Sequence, residues 1–299
     1  MNGEVDMKKA MVIGSISTDF VVTTQTIPQE GETVIGESFQ THFGGKGANQ
    51  AIALSRSGVS VFMLGAVGDD QYGKQLIQNL QDNQIDTQAV QVNDAIESGS
   101  AHIQIQSGDN RIIVVPGAND TVSIAQIQAN QNLINQMDMV VLQNELPLGT
   151  IEYLIDFCFE QQIPTIYNPA PVKKINQAYL DKVTYLTPNE HEIVQLFDEE
   201  NYMEVLKRYP NKLIVTLGSK GAAFFDGEQI VTVPAQTVKD VVDTTGAGDT
   251  FNGYLANGIL AGYSLAESLA LGNAASALAI QTAGAQAGIP YEEEVANKR

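Results

Sequence analysis

The chain has 299 residues, 43% of them hydrophobic, which is enough for a packed core and excludes a disordered chain. Its 35 acids against 16 Lys and Arg give a net charge of −19, which repels phosphate backbones and excludes nucleic acid as a partner. The most apolar region, 254–285, is interrupted by Asn257, Glu267 and Asn273, so no membrane span is expected.

No basic-then-apolar leader opens the sequence; residues 1–9 read as a short polar lead-in, with Met7 a candidate start. The run "AMVIGSIS" (10–17) is an apolar stretch ending in Gly and Ser, a buried strand. "ETVIGESFQTHF" (32–43) alternates apolar with polar and reads as a half-exposed strand. "FGGKGANQA" (43–51) follows, its glycines allowing close backbone approach to a ligand at the start of a helix over 48–57. A strand "SVFMLGAVG" (60–68) and a helix over 73–83 come next. "GSAHIQIQSGDNRIIVV" (99–115) alternates again, with Ser107-Gly108-Asp109-Asn110 as a turn between two antiparallel strands.

Apolar strands then recur at "MDMVVLQNE" (137–145), "IPTIYNPAP" (163–171), "KVTYLTPN" (182–189) and "KLIVTLGS" (212–219), with a helix over 149–160. Cys158 lies in that helix among Ile155, Phe157 and Phe159. As the lone cysteine it excludes an internal disulfide, reads as a buried inert thiol, and fits a reducing cytoplasm. His42, His102 and His191 have no metal-ligand spacing. Strands apolar throughout, alternating with helices, imply a parallel sheet covered on both faces. The expected architecture is one α/β domain over 1–299, with a small β-sheet lid from strands at about 20–43 and 97–116.

Ligands of open parallel sheets bind at the carboxyl ends of the strands. Those ends here carry Ser15, Ser17 and Asp19; Gln143, Asn144 and Glu145; Asn168; Asn189 with Glu190 and Glu192; and Gly218 with Ser219. Each alone is compatible with turn or cap chemistry, and together they point to a polar ligand. The Walker-like run Gly68 to Gln75 lacks the Ser or Thr that would hold Mg²⁺. G-x-G-x-x-G and G-x-S-x-G are absent, against a standard dinucleotide site and a serine hydrolase.

The last feature is "VVDTTGAGDTFNGYLANGIL" (241–260). Gly246, Ala247 and Gly248 open a helix with Phe251, Tyr254, Leu255 and Ile259 on one face, so free N–H groups form an anion hole. Asp249 beside it reads either as a plain N-cap or as a group that orients a hydroxyl and takes its proton while those amides hold a phosphoryl group.

Taken together, "GGKGANQA" and "DTTGAGDTFNG" resemble the paired motifs of the PfkB carbohydrate kinase family, and the similarity runs from "VIGSISTD" to "GAQAGIP". The resemblance implies a Rossmann-like three-layer αβα sandwich with a β-sheet lid, and a homodimer clasped through the lid strands. It implies ATP-dependent phosphorylation of a sugar, in the branch that acts on the 5-hydroxyl of D-ribose, with Mg²⁺ and K⁺ as cofactors. By match, Asp249 is the catalytic base, with Gly246, Ala247 and Gly248 as its anion hole. Ser17, Thr18, Asp19, Gly45, Lys46, Gly47, Ala48, Asn49 and Glu145 hold the sugar. Asn189, Thr216, Leu217, Gly218, Ser219, Lys220, Gly221 and Asn273 serve the nucleotide, joined by Gly248. Glu192 completes an N-x-x-E pattern for Mg²⁺ through water, and Asp243, Thr245, Ala279, Thr282, Gly284 and Gly288 match the K⁺ site. One departure stands out: the family's Gly-Ser-Xaa-Asn-Xaa-Asp is here Gly14-Ser15-Ile16-Ser17-Thr18-Asp19. A hydroxyl replaces an amide, which keeps 2-deoxyribose, another sugar or a nucleoside as alternative acceptors. A sugar-binding regulator without catalysis is a further alternative, opposed by the intact Asp249 and glycine turn.

Overall fold

The structure is a computed structural model and describes residues 7–107 and 109–297. Residues 1–6 of the expected lead-in and Gly108 of the expected turn lie outside the described residues. Strands β1 (Lys9–Ile13), β2 (Ser17–Thr23), β3 (Ser38–Gly44), β4 (Ser60–Gly68), β5 (Asp86–Asn93), β6 (Gly99–Gln106) and β7 (Asp109–Val115) occupy the first part of the chain. β8 (Met139–Gln143), β9 (Thr165–Asn168), β10 (Tyr185–Leu186), β11 (Ile214–Thr216), β12 (Ala222–Phe225) and β13 (Ile230–Val233) follow.

The main sheet runs β10-β9-β8-β1-β4-β5, every pair parallel. β1 lies in its middle because four of its five residues are buried, so neither face can meet water. Successive side chains of a strand point to opposite faces. Ala10 and Val12 therefore join one core, with Ile52, Leu54, Tyr254 and Leu269. Met11 and Ile13 join the other, with Ile151, Leu154, Ile155 and Cys158. Burial pushes the Cys158 thiol up to about 12, so it stays protonated and inert, as expected. Bridges Leu186↔Leu213 and Asn189↔Thr216 extend the parallel order from β10 toward β11, which opens the antiparallel β11-β12-β13 sheet. No helix among the described residues is long and apolar enough to cross a membrane.

The lid is a separate sheet of order β3-β2-β6-β7. β2 pairs antiparallel with β3, and β6 with β7, as the alternation implies. β2 and β6 run parallel, in contrast to an all-antiparallel lid, because both leave the body at one point: Ser17 lies opposite Gly99. Asn119 pins that exit. Its Oδ1 accepts from the Ile16 N–H at 2.9 Å and its Nδ2 donates to the Ile16 carbonyl at 2.9 Å.

Most expected strands are shorter in the fold, the 10–17 strand ending at Ile13 for example, and three further shifts stand out. The 32–43 strand begins only at Ser38, because its partner β2 ends opposite it at Thr23. The 182–189 strand shrinks to Tyr185–Leu186, closed by Pro188, which has no N–H to continue a ladder. The helix expected from residue 48 starts two residues earlier, at Lys46.

Candidate active site

The helix Ala247–Leu260 starts after Gly246, which takes a left-handed φ of 77°. A Cβ at Gly246 would lie 2.6 Å from the Ala285 carbonyl oxygen, so only glycine makes this turn. The plain-cap reading of Asp249 fails here: it is the third helical residue, and the helix has no side-chain cap. Asp249 is instead 5% exposed and held from the side by the Lys46–Arg56 helix. Asn49 Nδ2 donates to its Oδ2 at 2.9 Å and Gln50 Nε2 donates to its Oδ1 at 2.9 Å. Of the expected anion-hole amides, that of Ala247 donates to the Thr244 carbonyl at 3.2 Å. Gly248 sits in the first turn, where helical N–H groups have no intrahelical acceptor, and a Cβ on it would meet open space.

The glycines of "FGGKGANQA" serve packing within the chain more than ligand approach. A Cβ on Gly45 would lie 2.8 Å from the Ser15 carbonyl oxygen, one on Gly47 2.6 Å from the Ser15 nitrogen, and one on Gly44 2.4 Å from an Asp19 carboxylate oxygen. The free amides of the Lys46–Arg56 helix are taken by protein groups. Lys46 N–H donates to Glu145 Oε2 at 3.0 Å, Gly47 N–H to Ser15 Oγ at 3.3 Å and Ala48 N–H to the Ser15 carbonyl at 2.9 Å. Ser15 Oγ also donates to Glu145 Oε2.

Acids thus gather around one lysine. Burial, together with the negative charges of Glu145 and Asp249, pushes the Asp19 carboxyl up to about 7, against the pull of Lys46. Lys46 is raised by Asp249 above all, against its own burial, with Glu145, Glu192 and Asp19 assisting. Burial raises Glu192 as well, although the Asn189 N–H and Lys46 oppose it. Ionised carboxylates only accept hydrogen bonds, so this cluster suits a ligand rich in hydroxyl donors or bearing a cation.

A cavity of about 240 Å³ opens above Asp249, lined by Lys46, Asn168, Asn189, Glu192, Thr216 and Gly248 among others. Six of the expected site residues, Lys46, Asn189, Glu192, Thr216, Gly246 and Gly248, therefore meet Asp249 there. Asn189 and Glu192 also form a capping box: Asn189 Oδ1 accepts from the His191 and Glu192 amides at 2.9 Å, and Glu192 Oε2 accepts from the Asn189 amide at 2.8 Å. The N-x-x-E pattern thus starts a helix and faces the cavity at once. Beyond Thr216, Leu217 is buried and its N–H donates to the Gly221 carbonyl at 2.8 Å, while Gly218, Ser219 and Lys220 are exposed in a single turn. Asn273 is buried, and its Nδ2 donates to the carbonyls of Val233 and Pro234 at 2.9 and 3.1 Å, fixing the end of β13. Ser17 and Thr18 are buried at the root of the lid and do not line the cavity.

Behind Gly246, residues 243–245 and 279–288 converge. Asp243 accepts from the Thr245 N–H and the Gly284 N–H, each at 2.9 Å. Burial pushes its carboxyl up, but those hydrogen bonds together outweigh it and hold the group below the usual range. A Cβ on Gly288 would lie 2.2 Å from the Ala279 carbonyl oxygen and 3.1 Å from Thr282 Cβ. That glycine keeps open a cradle beside a carbonyl, and oxygen donors of this kind fit a hard monovalent cation. A second space of about 490 Å³ lies between lid and body, lined by Asp19, Val21, His42, Ile103, Val242 and Asp243 among others.

Gln50 and Gln286, both in contact with this machinery, do not stand out from motif spacing. A signal existed at Gln50, a long amide inside the otherwise small and apolar "GANQAIAL" run of a buried helix.

Comparison with known proteins supplies the rest. A family model for pfkB family carbohydrate kinases matches residues 7–292. The ribokinase of Bacillus subtilis (strain 168) is 45% identical over 289 residues, covering 97% of this chain and 98% of the relative. The ribokinase of Lactococcus lactis is 46% identical over 293 residues, covering 98% of this chain and 97% of the relative. Among solved structures, Arabidopsis thaliana ribokinase complexed with ribose and ATP aligns with a TM-score of 0.88 at 30% identity, over 97% of this chain and 98% of that one.

Proposed function

The chain belongs to the pfkB family of carbohydrate kinases, and we propose that it transfers the γ-phosphoryl group of ATP to the 5-hydroxyl of D-ribose, giving ribose 5-phosphate and ADP. One observation carries the reading: Asp249 is buried at a helix start, at the floor of a cavity it shares with Lys46, Asn189 and Thr216. Phosphoryl transfer asks for positioning and charge stabilisation. Asp249 accepts the hydrogen bond of the 5-hydroxyl, aligns its oxygen with the phosphorus and receives its proton as the new bond forms. The Gly248 amide and the positive end of the Ala247–Leu260 helix stabilise the transferring group.

Asp19 and Glu145, acceptor-only when ionised, bind the remaining sugar hydroxyls, with Lys46 balancing their charge. Asn189, Thr216 and the exposed turn 218–220 receive the nucleotide. Mg²⁺ bound with the nucleotide supplies charge neutralisation at the phosphates, and Glu192 at the cavity wall would hold it through water. K⁺ would be held by Asp243 and the carbonyls around Ala279 and Gly288, supplying positive charge beneath the anion hole. The lid excludes water from the sugar.

The lid also favours a homodimer. Phe39, Ile112, Ile113 and Val115 are 62%, 52%, 65% and 46% exposed on it, and β7 is an unpaired edge, a combination monomers avoid. A reduced, buried Cys158 fits the cytoplasm. A 2-deoxypentose is the second reading, favoured by Ser17, whose short side chain cannot reach a sugar hydroxyl as an amide would.

A coupled ADP-release assay over a sugar panel tests both. We expect ribose to give the highest kcat/KM, and Asp249→Asn to remove most turnover while sugar affinity changes by less than about threefold. Near-normal turnover in that variant would end the assignment, and a higher kcat/KM for 2-deoxyribose would select the second reading.

A further inference from the structure

The side chains that hold Asp249 are themselves held. Gln50 Nε2, 2.9 Å from Asp249 Oδ1, is also 3.2 Å from Asn168 Oδ1, and Asn168 Nδ2 donates to the Thr187 carbonyl at 3.0 Å. A backbone carbonyl can only accept, so Asn168 must turn its own oxygen toward Gln50. Gln50 must then present nitrogen on that side and oxygen on the other. That oxygen accepts from Gln143 Nε2 at 2.8 Å. On the opposite flank, Gln286 Nε2 donates to Asn49 Oδ1 at 2.9 Å, and Asn79 Nδ2 donates to Gln286 Oε1 at 2.8 Å. Asn49, Gln50, Gln143, Asn168 and Gln286 are all at most 7% exposed. With water excluded, the partners of Asn49, Gln50, Asn168 and Gln286 leave each of those amides one orientation, and Gln143 meets Gln50 through Nε2 while its Oε1 has no partner.

We infer that Gln50 is a positioning residue for Asp249 in the transfer reaction, and that Gln143 acts behind it as an orientation lock. The inference rests on the kinase reading. A carboxylate on one rotatable bond can swing, and two donors on consecutive residues of a rigid helix fix both of its oxygens. The face of Asp249 left open is the one toward the cavity. Gln143 has no contact with that cavity. It acts only by receiving the Gln50 oxygen, reinforcing the orientation of the Gln50 amide that Asn168 and Asp249 already favour.

Two variants test this. Gln50→Met keeps length and removes the donor; kcat should fall about 10²-fold, the scale of a small misplacement of a reacting group, while sugar and ATP KM stay within about threefold. Gln143→Glu keeps shape and changes hydrogen-bonding character with pH. Protonated, the new carboxyl donates to Gln50 Oε1 and leaves the network as it is. Ionised, it can only accept, so Gln50 must rotate and turn its oxygen on Asp249. Burial and the negative charges of Asp249, Asp19 and Glu145 raise the new group's pKa, with Lys46 opposing. The kcat of this variant should therefore be near wild type at the acid end of the accessible range and fall as pH rises, along a limb the wild type lacks.

Melting curves with and without ATP establish that each variant is folded. A Gln50→Met protein with kcat within twofold of wild type would overturn the inference. So would one whose kcat loss is matched by loss of sugar and ATP binding, or a Gln143→Glu pH profile parallel to the wild type. A wild type inert on every sugar would sink the kinase reading and this one together, whereas an active wild type with an unaffected Gln50→Met sinks this one alone.

Discussion

Asp19 sits where lid meets body, and its protonation can be followed without any catalytic assay. Its carboxyl is raised from the usual 3.8 to about 7, first by burial and then by Glu145 and Asp249. A group whose pKa is higher folded than unfolded disfavours folding once ionised. The protein without sugar is therefore most stable, in this respect, below about pH 4, and loses stability as pH rises to about 7. At about 1.4 kcal/mol per pH unit the loss has a ceiling of about 4 kcal/mol. Asp19→Asn removes the titration, so the stability difference between variant and wild type should grow across that window and level off above it. Urea denaturation from pH 4 to 8 on both proteins measures it. Sugar binding gives a second readout. Hydroxyl donors favour the ionised carboxylate, and near pH 7 Asp19 is about half protonated. Binding should then release about half a proton, seen by calorimetry in buffers of different ionisation enthalpy. Stability curves of constant separation, or binding with no proton release, would refute the reasoning.

Two further outcomes follow from the geometry. Gly288→Ala places a Cβ 2.2 Å from the Ala279 oxygen, in the proposed cation cradle. The wild type should gain both melting temperature and activity when K⁺ replaces Na⁺, and the variant should gain neither; equal melting temperatures in both salts for the wild type would count against the site. On the lid, Ile113 is 65% exposed on the edge strand β7. On the proposed dimer, the wild type should sediment as a dimer at micromolar concentration and Ile113→Glu as a monomer; a monomeric wild type would end the dimer reading, and a dimeric variant would remove β7 from the interface.

The central sheet apart from its edge strand β5 was legible because those strands are apolar on both faces. β4 is found over the same residues, 60–68, that the sequence marks. β5, β12 and β13 were not. β5 reads DTQAVQVN, with one fully buried residue, Ala89, so neither a continuous apolar run nor a clean alternation marks it. β12 and β13 take their identity from pairing with each other and β11, which no local pattern records. At the site, chemistry-bearing residues on strand ends and helix starts could be named from motif and position. The amides behind them could not. Gln286 lies 237 residues from Asn49, and only the folded chain brings the two together.

The charge arrangement explains why lid and kinase chemistry belong to one chain. Asp19 rides on the lid strand β2, whereas Asp249 and Glu145 belong to the body, and all carry the same sign when ionised. Lys46 offsets part of this, but burial and the two acids outweigh it, so contact between lid and body costs energy unless Asp19 keeps a proton or a ligand supplies donors. At the proposed sugar site a polyhydroxyl ligand would supply such donors and let the carboxylates ionise together, so its binding would favour contact between lid and body. Water supplies donors too but does not hold the spacing. ATP alone, at the proposed nucleotide site, would add negative charge beside the cluster without supplying those donors. If Asp19 binds the sugar as proposed, the same carboxyl that recognises the acceptor would also restrain phosphoryl transfer to water, because its ionisation depends on what lies across from it.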